Sequence, residues 1–210
     1  MSEFNRLSEA IEWIDLDFVE RERTPRRVIE VGIRLHLGGL SLSNTKRELE
    51  RLGVERSRTA IHNWVQKADL QPTGTHASNQ IAVDETVIRL NGERHWLYAA
   101  VDPETNDFLH SRLYSRRTNW TTREFLQELR EKHSVENCTF LIDEATHLIS
   151  TLTDLGLRFQ VIRHGNRNAV ERVFREVKRR TSSFSNTFSH VEVPTAESWL
   201  QAFAVWWNRC

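Results

Sequence analysis

Asp84 lies inside an apolar run, IAVDETVIRL, that reads as a central strand, where a carboxylate is unfavourable unless it is paired or holds a metal ion. Asp143 closes a second such run, TFLID, and Glu171 falls in the first turn of a basic helical segment, NAVERVFREVKRRT. Hard divalent cations prefer carboxylate oxygens and keep part of their water shell. Three converging acids can therefore hold two Mg²⁺ ions, or Mn²⁺ in their place, in line across a phosphodiester. One ion lowers the pKa of the attacking water or 3′-hydroxyl; the other stabilises the leaving oxygen. Lys178 follows Glu171 by seven residues, two helical turns, and so faces the same way. Arg167, Arg172, Arg175, Arg179 and Arg180 surround it, which gives one helix an acid together with cations suited to flanking phosphates. The plainer alternative is a solvated helix stitched by its own Glu176 and Arg180.

Other chemistries have little to stand on. The nine His residues never fall at zinc spacing, and Cys138 and Cys210 form no C-x-x-C pair. There is no G-x-S-x-G elbow, phosphate-binding Walker loop or G-x-G-x-x-G turn, so acyl transfer, ATP use and nicotinamide chemistry lack support. Of the seven Trp, Trp64, Trp199 and Trp206 recur at apolar helical positions, which favours core packing over base stacking.

The acids need elements to bring them together, and the patterning supplies a consistent set. Ile81 to Leu90 reads as a strand, Asn91-Gly92 as a hairpin turn, His95 to Asp102 and Phe108 to Tyr114 as the next two strands. A helix over Thr121–His133, a strand over Cys138–Asp143, a helix over Thr146–Leu155, a strand over Arg158–Arg163, and helices over Ala169–Arg180 and Thr195–Asn208 follow. Three meandering strands followed by alternating helices and strands is a ribonuclease H-like succession, an α/β mixed sheet flanked by helices. In that arrangement acids at the ends of the first and fourth strands meet an acid on the late helix.

Upstream the period is helical throughout. Leu7–Glu22 is acidic and amphipathic; Val28–Leu37, Asn44–Leu52 and Ser57–Ala68 are three short helices separated by Gly38-Gly39 and Gly53. Ser57 is suited to cap the third, whose inner face would be Ile61, Trp64, Val65 and Ala68. Its outer face carries Arg58, Thr59, His62, Asn63, Gln66 and Lys67, as in the recognition helix of a helix-turn-helix; Arg58, His62, Asn63 and Lys67 are the expected DNA contacts. Arg175, Arg179 and Arg180 are the expected contacts downstream. The polar string QPTGTHASN marks a linker over 71–79 between an all-α domain (1–70) and a catalytic domain (80–210).

Formal net charge is zero, but the charge is segregated. Residues 24–79 have 9 basic against 5 acidic side chains, 80–156 have 8 against 13, and 157–190 have 8 against 2. Two basic stretches flanking an acidic one suit phosphate contacts around a carboxylate site. The longest apolar run, Trp96–Val101, is too short to cross a bilayer, and the first residues do not read as a secretory signal. No membrane association and a cytoplasmic, nucleoid-associated location are expected.

The strings LHLGGLSLSNTKRELERLGVERSRTAIHNWVQKADL, AVDETVIRLNGERHWLYAAVDPETN and RHGNRNAVERVFREVKRRTSSFSNTFSH together resemble the DDE transposases of insertion sequence (IS) family 6, particularly their short haloarchaeal branch. The resemblance covers nearly the whole chain. It implies a helix-turn-helix that binds terminal inverted repeats, a ribonuclease H-like core, Mg²⁺ dependence, and Asp84, Asp143 and Glu171 as the triad. Lys178 matches the basic residue that follows the Glu. The implied activity is cleavage at element ends and joining to target DNA, with double-stranded DNA as partner and a homodimer or higher oligomer as the working form. The alternatives are a helix-turn-helix binder whose core has decayed, and a ribonuclease H-like nuclease. One departure stands out: the family's VDGA string is IDEA here, so Glu144 replaces a Gly beside Asp143. Consecutive strand residues point to opposite faces, so Glu144 is expected to modulate the chemistry and not to join the metal site.

Overall fold

Capping and alternation decide most of the boundaries in the computed structural model, which describes residues 24–72, 79–162, 168–181, 188 and 190–209. The helix expected over 7–22 lies outside them. The chain divides into two compact units, Met1–Leu70 and Gln71–Cys210.

The described part of the first unit is three helices, α1 (Arg26–Leu37), α2 (Leu42–Arg51) and α3 (Arg58–Lys67), each packed on the other two. Ser41 and Ser57 cap α2 and α3; their hydroxyls accept from the amides of Asn44 and Ala60 at 3.1 and 3.0 Å. Ile29, Ile33, Leu37, Leu49, Ile61, Trp64 and Val65 recur at helical spacing and form the core. Gly32 lets α1 and α3 approach, because a Cβ there would stand 3.1 Å from the Trp64 ring.

The second unit is built on a five-stranded sheet of β1 (Gln80–Leu90), β2 (Glu93–Val101), β3 (Phe108–Tyr114), β4 (Thr139–Ile142) and β5 (Phe159–Val161), in the order β3-β2-β1-β4-β5. The first three strands are antiparallel, while β4 and β5 run parallel to β1 and to each other. Asn91 and Gly92, with φ of 51° and 83°, turn β1 into β2 with the positive angles that a two-residue hairpin requires. Helices α4 (Asn119–Lys132) and α5 (Thr146–Asp154) sit over the face that presents Ile81, Val83, Tyr98, Ala100, Phe140 and Ile142, forming one core with Phe125, Leu126, Leu129, Leu148 and Leu152. Helix α6 (Asn168–Thr181) packs on β1 and β2, and α7 (Val193–Trp207) on β3. This order and these directions make the unit a ribonuclease H-like mixed sheet, with β1 at its centre.

Two boundaries bear on the site. β4 ends at Ile142, one residue before Asp143, because the Asp143 side chain accepts from the Ala145 amide at 2.9 Å and turns the chain out of the sheet. The fifth strand is shorter than the alternation suggests, Phe159–Val161 only.

Candidate active site

Parallel pairing of β1 with β4 sets Gln80 against Thr139, Ile81 against Phe140 and Ala82 against Leu141. Asp84 follows the last of these pairs by two residues on β1, and Asp143 follows it by two residues past Leu141, in the turn after β4. Asp84 falls on the same face of β1 as Ala82, because side chains alternate, and Asp143 stands in the turn that leaves β4. Each Asp is held by its own backbone: Oδ1 of Asp84 accepts from the Glu85 amide at 2.8 Å, as Oδ1 of Asp143 does from Ala145. Both are half-buried at the point where the paired ladder ends.

Glu171 is exposed in the first turn of α6, the helix that crosses β1 and β2. Lys178, two turns on, donates to the Thr86 hydroxyl at 2.6 Å, and Thr86 lies two residues from Asp84 on the same face of β1. The acid-bearing helix and the acid-bearing strand are thus tied directly. The donor chemistry suits a hard divalent cation, since the two Asp side chains are carboxylates. Among the described residues no group of three or more acids, His or Cys is close enough to enclose an ion, so Glu171 is not drawn up to the Asp pair in this arrangement.

The expected DNA contacts separate into two sets. Arg58, Asn63 and Lys67 are exposed on α3 and His62 is half-buried, while Ile61, Trp64 and Val65 face inward. On α6, Arg175 is exposed, Arg172 donates to Asn106 Oδ1 at 2.9 and 3.2 Å, and Arg179 is exposed but donates to both oxygens of Glu176 at 2.8 and 2.6 Å. Arg180 does not fit the expectation of a phosphate contact. It is 6% exposed, donates to Glu176 at 2.6 Å, and its guanidinium lies 4.6 Å from the centroid of the Trp206 ring. Position explains this: Arg180 lies seven residues after Val173 and three after Val177, on the apolar stripe of the helix. The Arg179 and Arg180 hydrogen bonds pull the Glu176 carboxyl down to about 2.

Sequence reasoning overlooked Glu85. Its side chain is 2% exposed on the face opposite Asp84; Oε1 accepts from Arg117 at 3.0 Å and lies 3.2 Å from His147 Nε2. The signal was available. Two consecutive acids in a strand covered on both faces must send one side chain to each. Glu144, in contrast, is exposed in the turn after β4.

The family model of the DDE domain of IS240-type transposases matches residues 78–208, the span that carries the sheet and all three acids. Uncharacterized protein MJ0017 of Methanocaldococcus jannaschii is 30% identical over 207 residues, covering 94% of this chain and 95% of that one. Among solved structures, the catalytic core domain of BIV integrase superposes with a TM-score of 0.45 at 17% identity, over 60% of this chain and 82% of that one. The HTLV-2 integrase catalytic core domain in complex with magnesium gives 0.37 at 16%, over 52% and 70%. With a single match running from the linker through the last helix, this chain belongs to the DDE-domain family of IS240-type transposases.

Proposed function

We propose that the chain is the transposase of an insertion sequence, of IS family 6 and its short haloarchaeal branch, that binds the terminal inverted repeats of its element, cleaves the DNA at its ends and joins the freed 3′-hydroxyls to target DNA. The observation that carries this reading is the parallel pairing of β1 with β4, which runs to Ala82 and Leu141, two residues before Asp84 and Asp143, in a DDE-family domain. Asp84, Asp143 and Glu171 would hold divalent metal, Mg²⁺ or Mn²⁺. When bound, such ions lower the pKa of the attacking hydroxyl or water and offset charge on the leaving oxygen.

The chain's own groups set the rest. The Glu85 and Ala145 amides orient the two Asp carboxylates before any ligand arrives, which reduces the ordering cost of binding. Lys178, anchored on Thr86, brings a cation to the same face of β1 as Asp84, where a phosphate flanking the scissile bond would lie. Arg175 adds a second phosphate contact, while Arg58, His62, Asn63 and Lys67 read the repeat. One chain carries one such set of acids and an element has two ends, so the working form is a homodimer or a higher oligomer on DNA, at the nucleoid. Among the described residues no helix is long and apolar enough to cross a membrane.

The test is an in vitro reaction with Mg²⁺ and a DNA carrying the element's flanking inverted repeats. Cleaved and joined products are expected. Nicked products alone would make the protein a nuclease, and a mobility shift indifferent to Mg²⁺ with no products would leave a DNA-binding module without chemistry.

A further inference from the structure

We propose that Glu85 is a positioning residue for the metal site, holding Asp84 and Asp143 together from the reverse face of the sheet through His147 and Arg117. The proposal rests on the reading of Asp84 and Asp143 as metal ligands. Its starting point is a side chain in the wrong place for stability. Glu85 emerges on the face that carries Ile81, Val83 and Tyr98, beneath α4 and α5, with its carboxylate 2% exposed. Arg117 donates to Oε1 at 3.0 Å, but Oε2 is buried with no hydrogen-bond partner among the described residues, and His147 Nε2, 3.2 Å from Oε1, is off the line of a hydrogen bond. A buried carboxylate satisfied on one oxygen costs free energy that a leucine of similar size would not.

What Glu85 does connect is informative. It follows Asp84 directly, so anchoring its side chain fixes the rotation of β1 at Asp84. His147 lies in the first turn of α5, four residues after Asp143, and the intervening turn is the one that the Asp143 side chain closes on Ala145. Drawing His147 against Glu85 therefore seats the Asp143 turn beside β1. Tyr98, paired with Glu85 across β1 and β2, meets the His147 ring edge-on at 6.3 Å, and its hydroxyl shares a hydrogen bond with Thr122 of α4 at 3.2 Å. Arg117, 43% exposed, stacks over Trp96 at 4.5 Å and brings in the segment that leads to α4. Two segments, the one that leads to α4 and the first turn of α5, meet on this one carboxylate.

A bracing group and a purely structural one respond differently to a hydrophobic replacement. In Glu85→Leu the buried charge is gone and Arg117 can turn to water, so the melting temperature should stay at or above that of the wild type. Mn²⁺ affinity of the full-length chain, measured without DNA by electron paramagnetic resonance titration, should nevertheless fall roughly 10- to 100-fold, the usual range for groups that orient metal ligands. Glu85→Gln keeps the shape and an acceptor for Arg117 and should recover most of the loss. Wild-type Mn²⁺ affinity in folded Glu85→Leu overturns the proposal. If Glu85→Leu does not fold, His147→Leu, which cuts the tie between Glu85 and the Asp143 turn, decides: an Mn²⁺ affinity weakened roughly 10-fold or more in the folded variant supports the brace, and an unchanged affinity overturns it. A wild-type chain that binds no Mn²⁺ at all removes the metal-site reading itself, and the brace with it.

Discussion

Helices α3 and α6 were both expected to meet DNA, and the structure makes them different. Helix α3 divides cleanly: Ile61, Trp64 and Val65 go inward, and Arg58, Asn63 and Lys67 are exposed. Helix α6 carries more cations, but much of its charge is already engaged within the protein. Lys178 is on Thr86, Arg172 on Asn106, Arg179 on Glu176, and Arg180 is buried between Glu176 and Trp206. Counting basic residues on a helix therefore overstates how many phosphates it can meet. A protein that uses one helix to read DNA and another to act on it needs adaptable side chains on the first and fixed ones on the second. Fixing is what the second helix shows, with Lys178 tied to the strand that carries Asp84 and Arg172 to the turn between β2 and β3.

The sharpest way to break this division is to change one residue on each helix and compare the two functions. Glu171→Gln should reduce cleavage and joining by several orders of magnitude, as should Asp84→Asn and Asp143→Asn, with binding of the element end largely kept. Asn63→Ala should do the reverse in kind. It should cost about 1–3 kcal/mol of discrimination between the repeat and random DNA, and lower activity on saturating DNA far less. Lys67→Ala should weaken all DNA alike. More than roughly a tenth of wild-type joining in a triad variant would remove that residue from the chemistry. A fall of the same size on repeat and random DNA for Asn63→Ala would remove the base-reading role of α3.

Much of this division was legible in the sequence, in the parts governed by local periodicity. The hairpin at Asn91-Gly92, the third strand over Phe108–Tyr114, the Ser57 cap and the stripe Ile61, Trp64, Val65 depend on neighbours a few residues away. Arg180 was misjudged and Glu85 overlooked, and in both cases position decides. The stripe of Val170, Val173 and Val177 already predicts an inward residue at 180, and the alternation about Asp84 already predicts one at 85. The contact of Lys178 with Thr86, 92 residues apart, belongs to a different class. It depends on how α6 crosses the sheet, which no local pattern encodes. The same holds for the bracing of Glu85 by His147 and Arg117.

Within α6, Arg175 and Arg180 offer a second contrast, of intermediate size. Arg180→Ala removes a cation held over Trp206 and a hydrogen bond to Glu176, and leaves a gap where α6 meets α7. The loss should be on the order of 1–3 kcal/mol, a drop of roughly 3–10 °C in melting temperature for this unit. DNA affinity of the folded fraction should change little. Arg175→Ala should leave the melting temperature alone and lower DNA affinity, with the slope of log affinity against log salt becoming shallower by about 0.9. The contrast fails if Arg180→Ala reproduces the salt slope of Arg175→Ala at an unchanged melting temperature, since Arg180 would then be meeting phosphate after all.

The smallest expected effect comes from releasing a cation that α6 holds back. Glu176 occupies Arg179 through both oxygens, and with its carboxyl near 2 it stays ionised across any pH at which the protein would be assayed. Because the folded value lies below the ordinary 4.5, whatever this pairing adds to stability is present above pH 4.5 and is lost as pH falls toward about 2. Between pH 7 and 5 neither stability nor DNA binding should change through Glu176. Glu176→Gln replaces a charged acceptor with a weaker neutral one and frees Arg179, which is already exposed, to meet a backbone phosphate. Affinity for DNA of any sequence should rise about two- to tenfold at low salt, and the salt slope should steepen by about 0.9, the signature of one added phosphate contact. Discrimination by α3 should be unaffected, because the gain carries no base information. The melting temperature should fall only slightly, since Arg180 keeps its place over Trp206 and the surface pair with Arg179 contributes little in water. Unchanged affinity and slope in Glu176→Gln would show that Arg179 has no phosphate within reach, and that α6 engages DNA through Lys178 and Arg175 alone.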